Sequence, residues 1–324
     1  MHREEIRFAL RSALTTGDRE VVPLLARRNH PADFAAELSL LTADDVRSAL
    51  LQVDGPTRAE LFGYLSPKQQ LLLSRVFSRT ELADLFHDMS ADERADLYNR
   101  LSEDVRDGMM PALAQAERED IRRLAAYAEG TVGSIMTSDY ATLTPGLTAR
   151  DAIEHLRQAA PDAETIDQAY VIDDRRRLLG MVLLRDLVLA RAEHTVAELM
   201  RGDPPHVRVE EPRERAAQLI REYDLLAVPA INGGDALVGI VTVDDAMDVA
   251  EEEATEDFHK AGGSSALKGI HMLTASPWLL YRKRVFWLVL LVFGNLFSGA
   301  GIAYFEDTIA AYIALVFFLP LLVD

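Results

Sequence analysis

Between residues 30 and 115 an apolar residue followed by Ser, Thr or Asp recurs every twelve positions: Leu41-Thr42, Val53-Asp54, Leu65-Ser66, Phe77-Ser78, Met89-Ser90 and Leu101-Ser102. Each polar member suits a helix N-cap, because its side-chain oxygen can accept from amides that the first turn leaves unpaired. Three residues after four of these caps stand Asp45, Gln69, Glu81 and Glu93, giving capping-box-like pairs with Thr42, Ser66, Ser78 and Ser90. Pro67 occupies the first helical position after Ser66. Between caps the apolar residues fall at helical spacing, as in Leu82, Leu85 and Phe86. The pattern predicts helices of about eight to nine residues, too short to stand alone, stacked as an α-solenoid.

Over 131–250 the period changes. The string AYVIDDRRRLLGMVLLRDLV (169–188) returns as VPAINGGDALVGIVTVDDAM (228–247), 59 residues later. Each copy reads as strand, polar turn, strand and helix start. An amphipathic helix precedes each, at 148–159 and 212–223, and VGSIMT (132–137) and VAELMR (196–201) lie further upstream. This tandem βαββα unit resembles a pair of CBS domains. The resemblance implies a cleft between the copies that binds an adenosine nucleotide such as ATP, with a glycine, a hydroxyl residue and an aspartate holding ribose and phosphate. Copy two keeps Gly239, Thr242 and Asp245; copy one has Gly180 and Asp186, with Leu183 where the hydroxyl belongs. A purely structural pair with an empty cleft is the alternative.

The C-terminal pattern is different again. Residues 285–305 are 21 positions without a charge, long enough to span a bilayer. Arg282-Lys283-Arg284 precede them, which puts that end, and the large N-terminal part, in the cytoplasm by the positive-inside rule. Glu306 and Asp307 follow, then a second apolar run over 308–323. The N-terminal residues carry no apolar signal region.

Charge narrows the chemistry. The net charge of −18 argues against a nucleic-acid partner. With no cysteine, disulfides and thiolate sites are excluded. The eight histidines show no metal-ligand spacing, and neither a P-loop nor a Ser-His-Asp motif is recognisable, so an enzyme is not expected. Acids dominate one stretch: eight of the fourteen residues of 244–257 are Asp or Glu. Charges packed so densely repel, and hard oxygen ligands suit Mg²⁺ or Ca²⁺ rather than zinc or copper. A solvated acidic helix face is the plain alternative. Asp88, Asp92 and Asp96 form a weaker cluster around one turn of the solenoid.

Solenoid, CBS pair, acidic helix, basic anchor and apolar span, in that order, resemble the MgtE family of magnesium transporters. The strings that carry the likeness are GSIMT (133–137), AAPDAETI (159–166), GIVTVDDAMDV (239–249), EEEATEDFHKAGG (251–263) and FFLPLLVD (317–324). The resemblance implies a multidomain protein. A helical regulatory domain over 1–130 precedes a tandem α+β CBS pair over 131–250. A connecting plug helix over 251–284 leads to transmembrane helices over 285–324, with the second incomplete. It implies a homodimer joined through the CBS and membrane domains, multi-pass in the cell membrane. Cytosolic Mg²⁺ would bridge acids and close the pore when plentiful. By motif position the Mg²⁺ residues would be Asp88 and Asp92 in the solenoid, Glu214, Asp224, Asp245 and Asp248 in the CBS pair, and Glu253, Glu256 and Asp257 on the connecting helix. Asp186, Thr242 and Asp245 would serve a nucleotide. The competing expectation is a membrane-anchored adenine-nucleotide sensor without transport of its own.

Overall fold

The computed structural model describes residues 3–161, 163–261 and 277–304. It divides into two compact units, Met1–Ala250 and Glu251–Asp324.

The first unit opens with ten helices: α1 (Arg3–Thr16), α2 (Val21–Arg28), α3 (Pro31–Leu38), α4 (Ala43–Leu50), α5 (Gly55–Gly63), α6 (Pro67–Val76), α7 (Arg79–Asp88), α8 (Ala91–Arg100), α9 (Glu103–Met109) and α10 (Gln115–Leu124). Helices α4 to α9 are N-capped by Thr42, Asp54, Ser66, Ser78, Ser90 and Ser102, the six polar members of the repeat. Reciprocal capping boxes close at Ser66–Gln69 and Ser78–Glu81. At Ser90 the hydroxyl makes no cap bond to the helix amides. The repeat also sets the core: Leu61, Leu73, Leu85, Leu97 and Met109, each twelve residues after the last, are all buried. Helices pack largely on the next but one: α1 on α3, α3 on α5, α4 on α6, α5 on α7, α7 on α9 and α8 on α10. Polar links also cross the stack: Arg7 on α1 to Glu37 on α3 at 2.7 Å, Arg47 on α4 to Glu81 on α7 at 2.6 Å, and Gln69 Nε2 on α6 to the Ser39 carbonyl at the end of α3 at 2.8 Å.

The duplicated region forms two small sheets. The first runs β1 (Thr142–Leu143), β2 (Gln168–Ile172), β3 (Leu178–Leu183), β4 (Arg201–Gly202); the second runs β5 (Val207–Arg208), β6 (Ala227–Ile231), β7 (Leu237–Thr242). Helices α11 (Ala149–Ala159), α12 (Leu184–Leu189), α13 (Val196–Leu199) and α14 (Arg213–Tyr223) complete the pair. The copies share their register: Gln168 faces Leu183 and Ala227 faces Thr242, and both hairpins shift register at the equivalent place, Val171/Ile172 and Ala230/Ile231. Their polar turns pair with each other through Arg177 and Ala236. The two signature glycines serve this packing. A Cβ at Gly239 would stand 2.6 Å from Met136 Sδ and 2.9 Å from the Thr137 carbonyl, and one at Gly180 would stand 2.7 Å from the Arg201 carbonyl.

β7 runs without a loop into α15 (Val243–Ala261), and the second unit ends its described part with α16 (Pro277–Tyr304). Counting described residues alone, no helix is long and apolar enough to cross a membrane. The second apolar run, 308–323, and residues 262–276 of the plug region fall outside the described residues.

Candidate functional site

α8 joins the solenoid to the CBS pair. Its Ala91 and Ala95 are buried in the same apolar cluster as Val132, Met136, Val241 and Ala246 of the pair. That contact fixes what lies beside it. The first turn of α8 carries Asp92 and Glu93; the first turn of α15 carries Asp244 and Asp245. Asp139, in the segment leading to β1, and Glu164, between α11 and β2, are tied to each other by a 2.7 Å bond from the Glu164 amide to the Asp139 carbonyl.

These six carboxylates act on one another. Burial, then the charges of Asp92 and Asp244, push Glu93 up to about 7. Glu164 stands at the solvent rim, yet partial burial of its carboxyl and then Asp92, Asp244, Glu93 and Asp139 push it up to about 7 as well. Burial, then Asp92, push Asp245 up to about 8, against the pull of a 2.7 Å hydrogen bond donated by the Thr242 hydroxyl. Burial also raises Asp92 and Asp139. Asp92 Oδ1 is enclosed with no hydrogen-bond partner, an arrangement that folded proteins rarely tolerate without a compensating group. Among the described residues no group of three acids stands in metal-holding geometry.

The sequence-predicted acids separate in space. Asp92 and Asp245 belong to this cluster. Asp88 ends α7 and lies over the start of α5, where a Cβ at Gly55 would meet its Oδ2 at 2.1 Å. Glu214 sits in the first turn of α14 beside Arg213, and Asp224 ends that helix in the left-handed region with φ 50°. At 1.5 Å per residue the two are about 15 Å apart along the axis. Asp248 and Glu253 are exposed on α15, while the side chains of Glu256 and Asp257 lie outside the described ones. Asp186, in the first turn of α12, pairs with Arg201 at 3.5 Å. Glu93, Asp139 and Glu164 escaped sequence reasoning. Glu93 had an ordinary explanation as a box partner, and the other two carry no signal in their spacing.

Residues 29–130 match the model of the MgtE intracellular N domain, and 132–193 and 196–252 each match that of the CBS domain. The magnesium transporter MgtE of Thermus thermophilus is 32% identical over 322 residues, 98% of this chain and 71% of that protein. Its counterpart from Bacillus subtilis is 36% identical over 287 residues, 89% of this chain and 60% of that protein. Among solved structures, the cytosolic domain of the Mg²⁺ channel MgtE in complex with ATP superposes with a TM-score of 0.70 at 32% identity. The match covers 75% of this chain and 99% of that one.

Proposed function

Because the chain belongs to the MgtE family of magnesium transporters, we propose that it carries the Mg²⁺ sensor and the entry to the membrane part of a Mg²⁺ transport protein, whose path closes when cytosolic Mg²⁺ is high. The observation that carries the reading is Asp92 Oδ1, enclosed and unpartnered among five other carboxylates. All donors are hard oxygens, the set that Mg²⁺ prefers. No three of them converge on one point, so contacts through retained water fit this site better than a closed cage, in keeping with how reluctantly Mg²⁺ dehydrates.

Bound here, Mg²⁺ supplies positive charge. The residues do the rest. With the solenoid docked, Asp92 and Glu93 face Asp139, Glu164, Asp244 and Asp245, and their repulsion opposes docking unless it is offset. Moving such an equilibrium from mostly open to mostly closed takes differential binding on the order of 5 kcal/mol. One exposed site does not supply that. The further acids Asp248 and Glu253 on α15, and Glu256 and Asp257 beyond them, offer additional sites, as do Asp88, Glu214 and Asp224 at their separate positions.

The membrane part begins at residue 285. What supports this is the sequence: the 21 uncharged positions of 285–305 follow directly on Arg282-Lys283-Arg284. Leu291, Val292, Phe293 and Leu296, pointing in different directions around α16, are all exposed, as befits a helix that faces lipid. A homodimer is supported by Val188, Leu189, Leu226 and Met247, large apolar side chains that the CBS pair leaves exposed. A nucleotide is favoured at the copy-one cleft, where Arg185 and Arg201 stand beside Asp186; the acids around Asp245 would repel phosphate.

The test uses dyes. The chain has no cysteine, so Glu60→Cys in the solenoid and Gln158→Cys in the CBS pair, both exposed, accept a donor and an acceptor. In the full chain in detergent, energy transfer is expected to rise with Mg²⁺ at constant ionic strength. Neutralising Asp92 and Asp245 together is expected to flatten the response. A response to ATP with none to Mg²⁺ would establish the nucleotide-sensor alternative instead.

A further inference from the structure

One cation is already built into the acidic junction. Arg94 is 9% exposed. Ala91 and Ala95, on the same side of α8, draw it down into the contact with the CBS pair. Its Nη2 lies 3.4 Å from Asp139 Oδ2 on the CBS side and 3.8 Å from Asp120 Oδ2 on α10. Asp120 in turn accepts from the Ser138 hydroxyl at 2.9 Å and pairs with Arg123. One guanidinium therefore ties α8 and α10 to the segment that enters the CBS pair. It engages through one end alone, since its Nε is enclosed without a partner.

The charged groups that act on Arg94 are Asp139 on the CBS side, Asp120 and Glu117 on α10, and His87 on α7. Asp139 carries the link to the rest of the junction, since it acts on Glu164 and is acted on by Asp92, while Glu93, Asp244 and Asp245 lie further along the same acidic cluster. Arg123, His87 and Arg176 are further basic groups nearby, each engaged elsewhere: Arg123 with Asp120, His87 with Glu117, and Arg176 with the Tyr140 hydroxyl at 2.7 Å. Arg94 is thus the cation that spans the junction.

We infer that Arg94 is a resident counter-cation: it neutralises part of the acidic junction in the docked state and so sets how much Mg²⁺ the sensor needs to close. This rests on the junction being the Mg²⁺ sensor. Arg94 forms its contact with Asp139 only when the solenoid is docked, so it favours the same state as the bound ion. Its charge does not vary with Mg²⁺, which makes it a fixed offset on the threshold. Arg94→Gln leaves the half-buried Asp139 without its counter-charge and transfers that work to added ions. Truncating one partner of a buried charge pair is strongly unfavourable, so the midpoint of the Mg²⁺ response should rise on the order of tenfold. Arg94→Lys keeps the charge but places it on a smaller, more strongly hydrated ammonium, and should raise it less. Asp139→Asn removes an acid and keeps the cation, and should lower it.

The same dye pair reads all of these in the full chain. The expected order of midpoints is Asp139→Asn below the parent, then the parent, Arg94→Lys and Arg94→Gln. Arg94→Gln combined with Asp139→Asn should return most of the way to the parent. A residue that merely helps α8 to fold would not be rescued by removing an acid on the opposite domain. An unchanged or lowered midpoint for Arg94→Gln, or a double variant no nearer the parent than the single one, overturns the inference. If Arg94→Gln fails to fold, Asp139→Asn decides alone: a raised or unmoved midpoint overturns the proposal. A parent chain that ignores Mg²⁺ overturns the sensor reading itself, and this inference with it.

Discussion

Asp92→Asn is the substitution whose effect can be worked furthest. Asp92 is the largest like-charge influence on Glu93, Glu164 and Asp245 after burial itself. Glu93 moves from its ordinary 4.5 to about 7, and Asp245 from 3.8 to about 8. At about 1.4 kcal/mol per pH unit, keeping both ionised in the docked state at pH above 8 costs several kcal/mol. A like charge about 6 Å away at an effective dielectric of about 20 contributes roughly 2–3 kcal/mol of such a cost. Against this stands the loss of a carboxylate from the first turn of α8, worth about 0.3–1 kcal/mol. The balance favours docking by roughly 2 kcal/mol, which is about thirtyfold in the equilibrium at 1.4 kcal/mol per factor of ten. Energy transfer between dyes at positions 60 and 158, measured at pH 8.5 without divalent ions, should therefore rise in Asp92→Asn. At pH 5.5, where the neighbouring acids hold protons, the difference should vanish or reverse slightly. An Asp92→Asn chain that docks less well than the parent at pH 8.5 refutes the reasoning, because it would make Asp92 a net attraction.

The parent chain should itself respond to pH. The docked state keeps protons on Glu93, Glu164 and Asp245 up to about 7, 7 and 8. The separated state releases them near the ordinary carboxylate values, so docking without Mg²⁺ weakens as pH rises from about 4.5 to 8. Saturating Mg²⁺ should flatten that slope in the same dye assay. Gly239→Ala should destabilise the CBS pair by about 1–3 kcal/mol through the forced approach to Met136 and the Thr137 backbone, read as a lower melting temperature. Arg201→Ala should weaken ATP binding measured by calorimetry about tenfold or more if the copy-one cleft takes the phosphates, while Thr242→Ala leaves it within a factor of about two.

The solenoid was almost fully legible in the sequence because two independent signals share one period. Caps at Thr42, Asp54, Ser66, Ser78, Ser90 and Ser102 and buried positions at Leu61, Leu73, Leu85, Leu97 and Met109 both recur every twelve residues. The duplication was legible for the same reason, since strands and turns repeat 59 residues on with the same register. The acidic junction was legible only by halves. Asp92 and Asp245 stand in dense acidic strings. Asp139, Glu164 and Arg94 join them through the packing of Ala91 and Ala95 on the CBS core, a tertiary event without local periodicity. Motif position in the family resemblance likewise grouped Asp88, Glu214 and Asp224 with them, but the structure places those residues elsewhere on α7 and α14.

The two clefts show how one backbone can be turned to opposite charges. Because the copies match residue for residue at an offset of 59, Arg185 of copy one stands where copy two has Asp244, and Asp186 stands where copy two has Asp245. The helices α12 and α15 both start directly after their strands, so the two positions hold the same relation to the sheet. A change from Arg to Asp alters the local charge by two units. About 6 Å away, at an effective dielectric of about 20, that is on the order of 5 kcal/mol for any singly charged group. Copy one adds Arg201, paired with Asp186 at 3.5 Å; copy two adds Asp92 and Glu164 beside Asp245. The hydroxyl signature points the other way, since Thr242 is retained and Leu183 has replaced its counterpart. A single hydroxyl bond is worth about 1 kcal/mol net, and in this structure the Thr242 hydroxyl is already spent on Asp245. These magnitudes support the proposed assignment over the motif: on that proposal the copy that keeps the nucleotide signature takes a cation, and the copy that lost it takes an anion.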